Sequence, residues 1–394
     1  FGFVGIMEYT TIGKSCSLVS GGTPSRSKDE YWRNGTIPWI KIGNIKSKYV
    51  NGYDELITEQ GLNNSSAKLL KKGTILYTIF ATLGEVGILD IEACTNQAIV
   101  GISINDSRIT TDYLYYYLKS KKEYVNSIGR GVAQNNINLT TLKEFEIPLI
   151  DVDKQLNIVK SLEKTEKIID LKKNEIDDLD LLIKARFVEM FGDMYLNSKG
   201  WSEIKLESMA DVSSGITKGR KTKGEDLTEV PYMAVSNVKD GYIDWTTIKT
   251  IRVTQNEIEK YRLLPNDVLI TEGGDPDKVG RGAIIKDPLE NCIHQNHIFR
   301  VRLNESVMLP VFFSEYLQHQ RSKSYFLGCA KQTTGIASIN MKQLRALPVQ
   351  VPPLSEQEKF ALFKEQVDKS KLAVQKSLEK TQQLFDSLMQ EYFG

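Results

Sequence analysis

Residues 147–192 read IPLIDVDKQLNIVKSLEKTEKIIDLKKNEIDDLDLLIKARFVEMFG. An apolar exit marked by Pro148 gives way to an acidic start at Asp151 and Asp153, and no further Gly or Pro appears until Gly192. Apolar residues recur every seventh position at Leu162, Ile169, Ile176, Ile183 and Met190, with Ile158, Leu179 and Phe187 in the neighbouring rows. That period is a coiled-coil seam on a long helix, and such a seam needs a partner helix. About forty residues at roughly 1.5 Å each span on the order of 60 Å.

The partner lies in the same chain. Asn340, Leu347, Pro348, Gln357 and the ending Tyr392, Phe393, Gly394 repeat Asn138, Ile147, Pro148, Gln155 and Phe191, Gly192, with Pro148 answered by Pro348 or Pro352. The best anchors (138 to 340, 155 to 357, 192 to 394) share one offset of 202. A constant offset across two helices means duplication. Phe360, Phe363, Val367, Val374, Leu378, Phe385 and Leu388 supply the second seam.

The regions before the helices repeat too. VPYMAVSNV (230–238) answers IPWIKIGNI (37–45), and YRLLPNDVLITE (261–272) answers KLLKKGTILYTI (68–79), both at an offset of 193. CIHQNHIFRV follows CTNQAIVGI at an offset of 198, and FFSEYLQH answers YLYYYLKS. The drift from 193 to 202 places insertions in the loops of the second copy, where length changes cost little. The short β-branched runs IPWIKIGNI, GTILYTIF and QAIVGISI, bounded by Gly, Asn, Asp and Ser, read as buried strands. TTDYLYYYLKSKKEYVNSI (110–128) has helical spacing, and its tyrosines read as core. The chain is therefore α+β, written domain (7–150), helix (151–195), domain (196–353), helix (354–394). Such an order closes most simply when the helices pair antiparallel, with the domains at opposite ends and an approximate internal twofold axis.

With 51 basic and 50 acidic side chains, the chain could meet a polyanion only through local patches. Residues 7–150 carry 16 basic and 14 acidic groups, and 201–353 carry 20 and 18. Cys16, Cys94, Cys292 and Cys329 are far apart without a CxxC pair, which argues against a disulfide framework or zinc ribbon and for a reducing cytoplasm. No run approaches a membrane span, and FGFVGI is too short and lacks the basic flank of a signal peptide; Met7 reads as a natural start.

Catalytic signatures are missing. HQNH (294–297) with Cys292 could be drawn as a metal cluster, but at the 198 offset His294 and His297 answer Asn96 and Ile99. A domain doing the same work twice would not need metal on one side only. EGGDPDKVGRG (272–282) matches neither a Walker A loop nor GxGxxG, and reads as a tight loop. Binding signals are stronger. TKGRKTKG (217–224) sets Lys218, Arg220, Lys221 and Lys223 among glycines and threonines, and TPSRSKDEYWRNG (23–35) places Arg26, Lys28 and Arg33 at the same point of the first copy. Lys46 and Lys48 follow the strand at 37–45. Basic loops at matching places suit phosphate contact, while Arg130, Gln134, Asn135 and their counterparts Lys331, Gln332, Thr333 can hydrogen-bond base edges.

Taken together, SGGTPSRSKDEYWRNGTIPWIKIGNI (20–45), the NINLTTLKEFEIPL exit (136–149), SINMKQLRALPVQVPPLSEQEKF (338–360) and the two-copy order resemble the specificity subunit of type I restriction-modification systems from Met7 to Gly394. The first copy departs from that pattern, reading PLIDVDKQ where PPLSEQ is expected. The resemblance implies two target-recognition domains, each contacting one half of a split double-stranded DNA sequence. The paired helices would act as a ruler that sets the untouched spacer and as the docking surface for two modification subunits, with Leu162, Ile169, Ile176, Ile183, Phe363, Val367, Val374 and Leu378 on that seam. It implies no cofactor in this chain. S-adenosylmethionine, ATP and Mg would belong to the modification and restriction subunits. The rival readings are a tandem-domain interaction scaffold with a coiled-coil spacer, and the recognition subunit of a related system with a fused modification-cleavage polypeptide.

Overall fold

The computed structural model describes residues 8–129, 136–220, 226–333 and 335–394. The chain divides into two compact units, one running to Lys173 and adding Lys376–Gly394, the other spanning Asn174–Gln375. Each unit takes part of both long helices, Val152–Phe191 and Leu354–Phe393. Among the described residues no helix is long and apolar enough to cross a membrane.

In the first unit a five-stranded sheet runs in the order Cys16–Ser20, Ile99–Ile104, Ile75–Thr78, Val86–Leu89, Tyr49–Val50. The central strands are buried on both faces, which explains their unbroken apolar sequence. A second sheet of three short strands places Ile37–Ile40 between Glu55–Ile57 and Cys94–Thr95. Glu8–Thr11 and Glu146–Leu149 close the domain as an antiparallel pair. The tyrosine helix Thr111–Ser120 buries Tyr113, Tyr116 and Tyr117, as its spacing predicts, and Thr110 caps it.

The second unit repeats this plan. Its four-stranded sheet has the order Ala210–Ser214, Ile298–Leu303, Val268–Thr271, Gly282–Ile284, and its three-stranded sheet holds Thr228–Met233 between Lys249–Val253 and Ile293–His294. Ser202–Lys205 pairs with Pro348–Val351 as the closing ribbon. One small sheet, Gly273–Gly274, Ile336–Ser338 and Lys331–Thr333, is added.

Backbone hydrogen bonds give the repeat register. Asn96 N donates to Ile40 O at 3.1 Å and Gln295 N to Met233 O at 3.0 Å; Ile99 N donates to Asn96 O at 3.2 Å and Ile298 N to Gln295 O at 2.9 Å. The offset there is thus 199, not 198, so His294 and His297 answer Thr95 and Ala98. At the exits, Ile12 N donates to Phe145 O and Leu206 N to Leu347 O, each at 3.0 Å. Leu347 therefore matches Phe145, and Pro148 matches Gln350 rather than Pro348 or Pro352. Asn138 and Asn340 recur because each caps a short helix, accepting from Thr141 N at 2.8 Å and Gln343 N at 3.0 Å.

Gln155 and Gln357 recur for a stronger reason. The Gln155 amide accepts from Thr110 N at 2.9 Å and donates to Arg108 O at 2.6 Å and Ile150 O at 2.9 Å. Gln357 accepts from Leu309 N at 2.8 Å and donates to Val307 O at 3.1 Å and Pro352 O at 2.9 Å. Both are fully buried.

Within each unit the helix segments run antiparallel. In the first, Lys172 Nζ donates to Ser377 Oγ at 2.8 Å, and Lys119 lies both against Glu166 and over the Phe385 ring. In the second, Lys371 meets Asp180 at 2.6 Å while the Phe187 and Phe360 rings lie 5.3 Å apart. Leu162 and Ile169 are buried in the first unit's core, and Ile183 and Val367 in the second's. Ile176, Phe363, Val374 and Leu378 are half-buried.

Cys16, Cys94 and Cys292 are free and buried, and burial pushes the Cys292 thiol up to about 12. His294 is wholly buried; desolvation, then the charge of Arg300, pushes it down to about 4. An unfolded histidine titrates near pH 6.5, so between pH 6.5 and 4 the unfolded chain takes up a proton that the folded chain refuses. Stability is therefore lost as pH falls through that window, by about 3 kcal/mol at most. His294→Thr, which restores the first copy's residue, should lose less stability than the parent between pH 7 and pH 5 in urea unfolding. Equal losses would contradict this account.

Candidate nucleic-acid interface

Two loops meet beside the short parallel strand of each domain. In the first, Gly22 N donates to Thr95 O at 2.8 Å; in the second, Ile216 N donates to His294 O at 2.9 Å. A Cβ on Gly21 would stand 2.0 Å from Asn96 O, and one on Gly215 2.0 Å from His294 O, so only glycine permits this approach. The same contact is locked from beneath by different chemistry: Trp39 Nε1 donates to Gly22 O at 2.9 Å, and Tyr232 Oη to Ile216 O at 3.0 Å. This accounts for the tryptophan of IPW and the tyrosine of VPY.

A third segment crosses at the same place. Ile79 N donates to Ala98 O at 2.9 Å and Ile137 N to Ile79 O at 3.2 Å; Glu272 N donates to His297 O at 3.0 Å and Ile339 N to Glu272 O at 2.8 Å. Each domain thus brings together the first basic loop, the turn before its long strand, and the chain just before its exit helix. Side chains at these points are polar: Thr23 bonds Gln97 in one copy, and Gln295, Asn296 and His297 stand in the other. Sequence reading quoted the stretches that hold Asn296, His297 and Glu272 but assigned none of them, nor Gln97, to the interface. The one-residue change in offset, once recognised, would have aligned them.

The basic residues singled out from sequence divide into two groups. Arg26 and Arg220 occupy matched positions, and each is bound to an acid of its own domain. Arg26 pairs with Glu55 and lies 3.6 Å from the Trp32 ring centroid, while Arg220 Nε donates to Glu257 Oε1 at 2.6 Å. Those guanidiniums hold the Glu55 and Glu257 carboxyls below their ordinary range. Lys48, 14% exposed, lies 2.6 Å from both Asp112 and Glu163. Desolvation opposes its charge, yet the two carboxylates raise its pKa on balance, so Lys48 is a tie from the first domain to its helix. Lys28 donates to Tyr31 Oη at 2.8 Å. Arg33, Lys46, Lys218, Lys331 and Gln332 are exposed, with Arg33 3.7 Å from Asp29. Thr333 ends a strand of the added sheet. Arg130, Gln134, Asn135, Lys221 and Lys223 lie outside the described residues.

Among the described residues no three metal-ligand side chains come together. The His294 ring instead meets Ile298 O through Nδ1 at 3.1 Å.

The family model for the type I restriction modification DNA specificity domain matches twice, over residues 7–181 and 198–384. The chain belongs to the type I DNA specificity family. It is 29% identical over 244 residues to the MjaIX specificity subunit of Methanocaldococcus jannaschii, covering 57% of this chain and 56% of that relative. It thus spans about half the length of that relative. Against the EcoKI specificity subunit of Escherichia coli it is 21% identical over 96% of this chain and 86% of that protein. The fold is shared with the S subunit of a type I restriction-modification system from M. genitalium (TM-score 0.53, 18% identity, 100% and 98% coverage). It is shared also with a chain from a study of type I complex assembly and conformational transition (TM-score 0.63, 17% identity, 98% and 97% coverage).

For a specificity domain of this construction the two groups of cations should behave differently. Lys218→Ala with Lys331→Ala should weaken binding to every DNA sequence and lower the slope of log affinity against log salt by about 1 for each phosphate no longer neutralised. Arg26→Ala and Arg220→Ala should instead lower the melting temperature of the domain. An unchanged salt slope for the lysine pair would assign those residues to solvated surface.

Proposed function

We propose that this chain is the DNA-reading subunit of a type I restriction-modification enzyme. Each domain reads one half of a bipartite target, and the long helices dock two modification subunits. The supporting observation is the triple crossing of loops, whose backbone hydrogen bonds recur in both copies while the side chains differ. A shared frame with exchanged surface residues suits two readers of unlike sequence.

Many of the seam side chains are spent inside their own units, so docking falls to the residues the helices leave exposed, Leu156, Leu171 and Leu181 on one helix and Leu362 and Leu372 on the other. The chain carries out no chemistry itself in this reading. Methylation with S-adenosylmethionine, and translocation and cleavage with ATP and Mg, belong to the partner modification and restriction subunits, in the cytoplasm.

The test is the affinity of the chain for duplex DNA across a salt series, alone and with co-expressed modification subunits. Partner-enhanced binding that falls steeply with salt is expected. Weak binding, indifferent to salt in both samples, would favour a scaffold for another ligand.

A further inference from the structure

At the crossing of loops one pair of positions changes from apolar to polar between the copies. The first copy holds Ile79 and Ala98, both buried; at the same backbone positions the second holds Glu272 and His297. Glu272 Oε2 lies 2.6 Å from His297 Nδ1, and Asn296 Nδ2 lies 3.2 Å from His297 Nε2. Because a carboxylate only accepts and an amide nitrogen only donates, the imidazole carries its hydrogen on Nδ1 and accepts at Nε2. The row Asn296, His297, Glu272 therefore fixes the carboxylate in one orientation.

The frame does not need this pair. It folds around Ile and Ala in the other copy, and the side chains of His297 and Glu272 are 56% and 32% exposed. Exposed pairs of this kind contribute little to stability. Next to Glu272 stand Gly273 and Gly274, where the first copy has Phe80 and Ala81. No side chain of those two residues covers the acid. Lys331 and Gln332 lie on the sheet that pairs with these glycines, Gly273 opposite Ser338 and Ser338 opposite Lys331.

We propose that Glu272, positioned by His297, reads an exocyclic amino group in the major groove of the second domain's half-site, N4 of cytosine or N6 of adenine. This rests on the DNA-reading function proposed above. A carboxylate is repelled by phosphate, and the major-groove edges of the bases offer hydrogen-bond donors only at these two amines. Within that groove, an acid held open among polar and basic groups has a use only at these amines. The first domain, with Ile79 and Ala98, reads no base by this device.

The experiment assembles the full chain with its modification subunits, as parent, E272Q, H297A and the double variant E272I/H297A. Each complex selects duplexes from a random library, and the bound pool is sequenced. The parent should show a split target with cytosine or adenine at one position of the second half-site, and the base found distinguishes the two amines. In H297A and E272I/H297A discrimination at that position should fall roughly 10- to 100-fold while the first half-site is unchanged. E272Q, whose amide can pair bidentately with adenine, should move the preference to adenine where the parent reads cytosine and keep it where the parent reads adenine. The double variant carries the first copy's own pair, so it tests reading without burdening the fold. A sequence-specific parent with H297A and E272I/H297A variants that select the same second half-site as sharply would overturn this inference alone. A parent that enriches no sequence would overturn the DNA-reading function and this inference with it.

Discussion

A buried glutamine near the start of each long helix is the constraint on which the units depend. Where a domain hands over to its helix, the chain turns sharply, and the turn leaves backbone amides and carbonyls facing an apolar core. Leaving such a group unsatisfied costs about 1–3 kcal/mol. From the first turn of its helix, each of Gln155 and Gln357 satisfies three backbone groups in two segments, the loop before the domain's aromatic helix and the end of the exit strand. A glutamine amide is suited to this because it donates and accepts from one planar group without carrying a charge into the core. The helix is thereby fixed to its domain by hydrogen bonds, and the aromatic side chains then fill the space around it. Phe187, Phe191, Phe312 and Phe360 do so in the second unit, and Tyr113, Tyr117 and Phe393 in the first.

From that fixed base the recognition surface can vary. The contact between the first loop and the short parallel strand is held by Trp39 in one copy and Tyr232 in the other, through different donors reaching equivalent carbonyls. The loop arginine is retained at matched positions but neutralised by Glu55 in one copy and Glu257 in the other. In both cases the backbone path is kept and the side chains that keep it are exchanged. The pair at the third crossing is exchanged as well: Ile79 and Ala98, buried in one copy, stand where the other has the partly exposed Glu272 and His297.

Much of this was legible in the sequence. The seam of Leu162, Ile169 and Ile183, the tyrosine helix, the buried strands and the duplication all follow from period and offset, because burial imposes regular spacing. Three things were not. The true partner of Pro148 and the offset of 199 at the long strand depend on single-residue changes in loops, which shift register without leaving a compositional mark. The added sheet around Gly273 and Gly274 is built of strands of only two or three residues from three separate segments, too short for alternation to show. And charge in a sequence does not reveal its partner. Arg26, Lys48 and Arg220 looked free for phosphate, yet each is engaged by carboxylates brought from elsewhere in the fold. HQNH, which could be drawn as a metal cluster but was set aside because the other copy lacks its histidines, has one histidine sealed in the core and the other held by an acid 25 residues away.

The central claim is that the two domains are one frame carrying two different readings. It is tested most directly by replacing the second domain, between its closing strands Ser202–Lys205 and Pro348–Val351, with the first domain between Glu8–Thr11 and Glu146–Leu149, and selecting the target of the assembled complex. The account predicts a target that contains the first half-site twice. Retention of the original second half-site would contradict it, because the reading would then reside outside the exchanged domain.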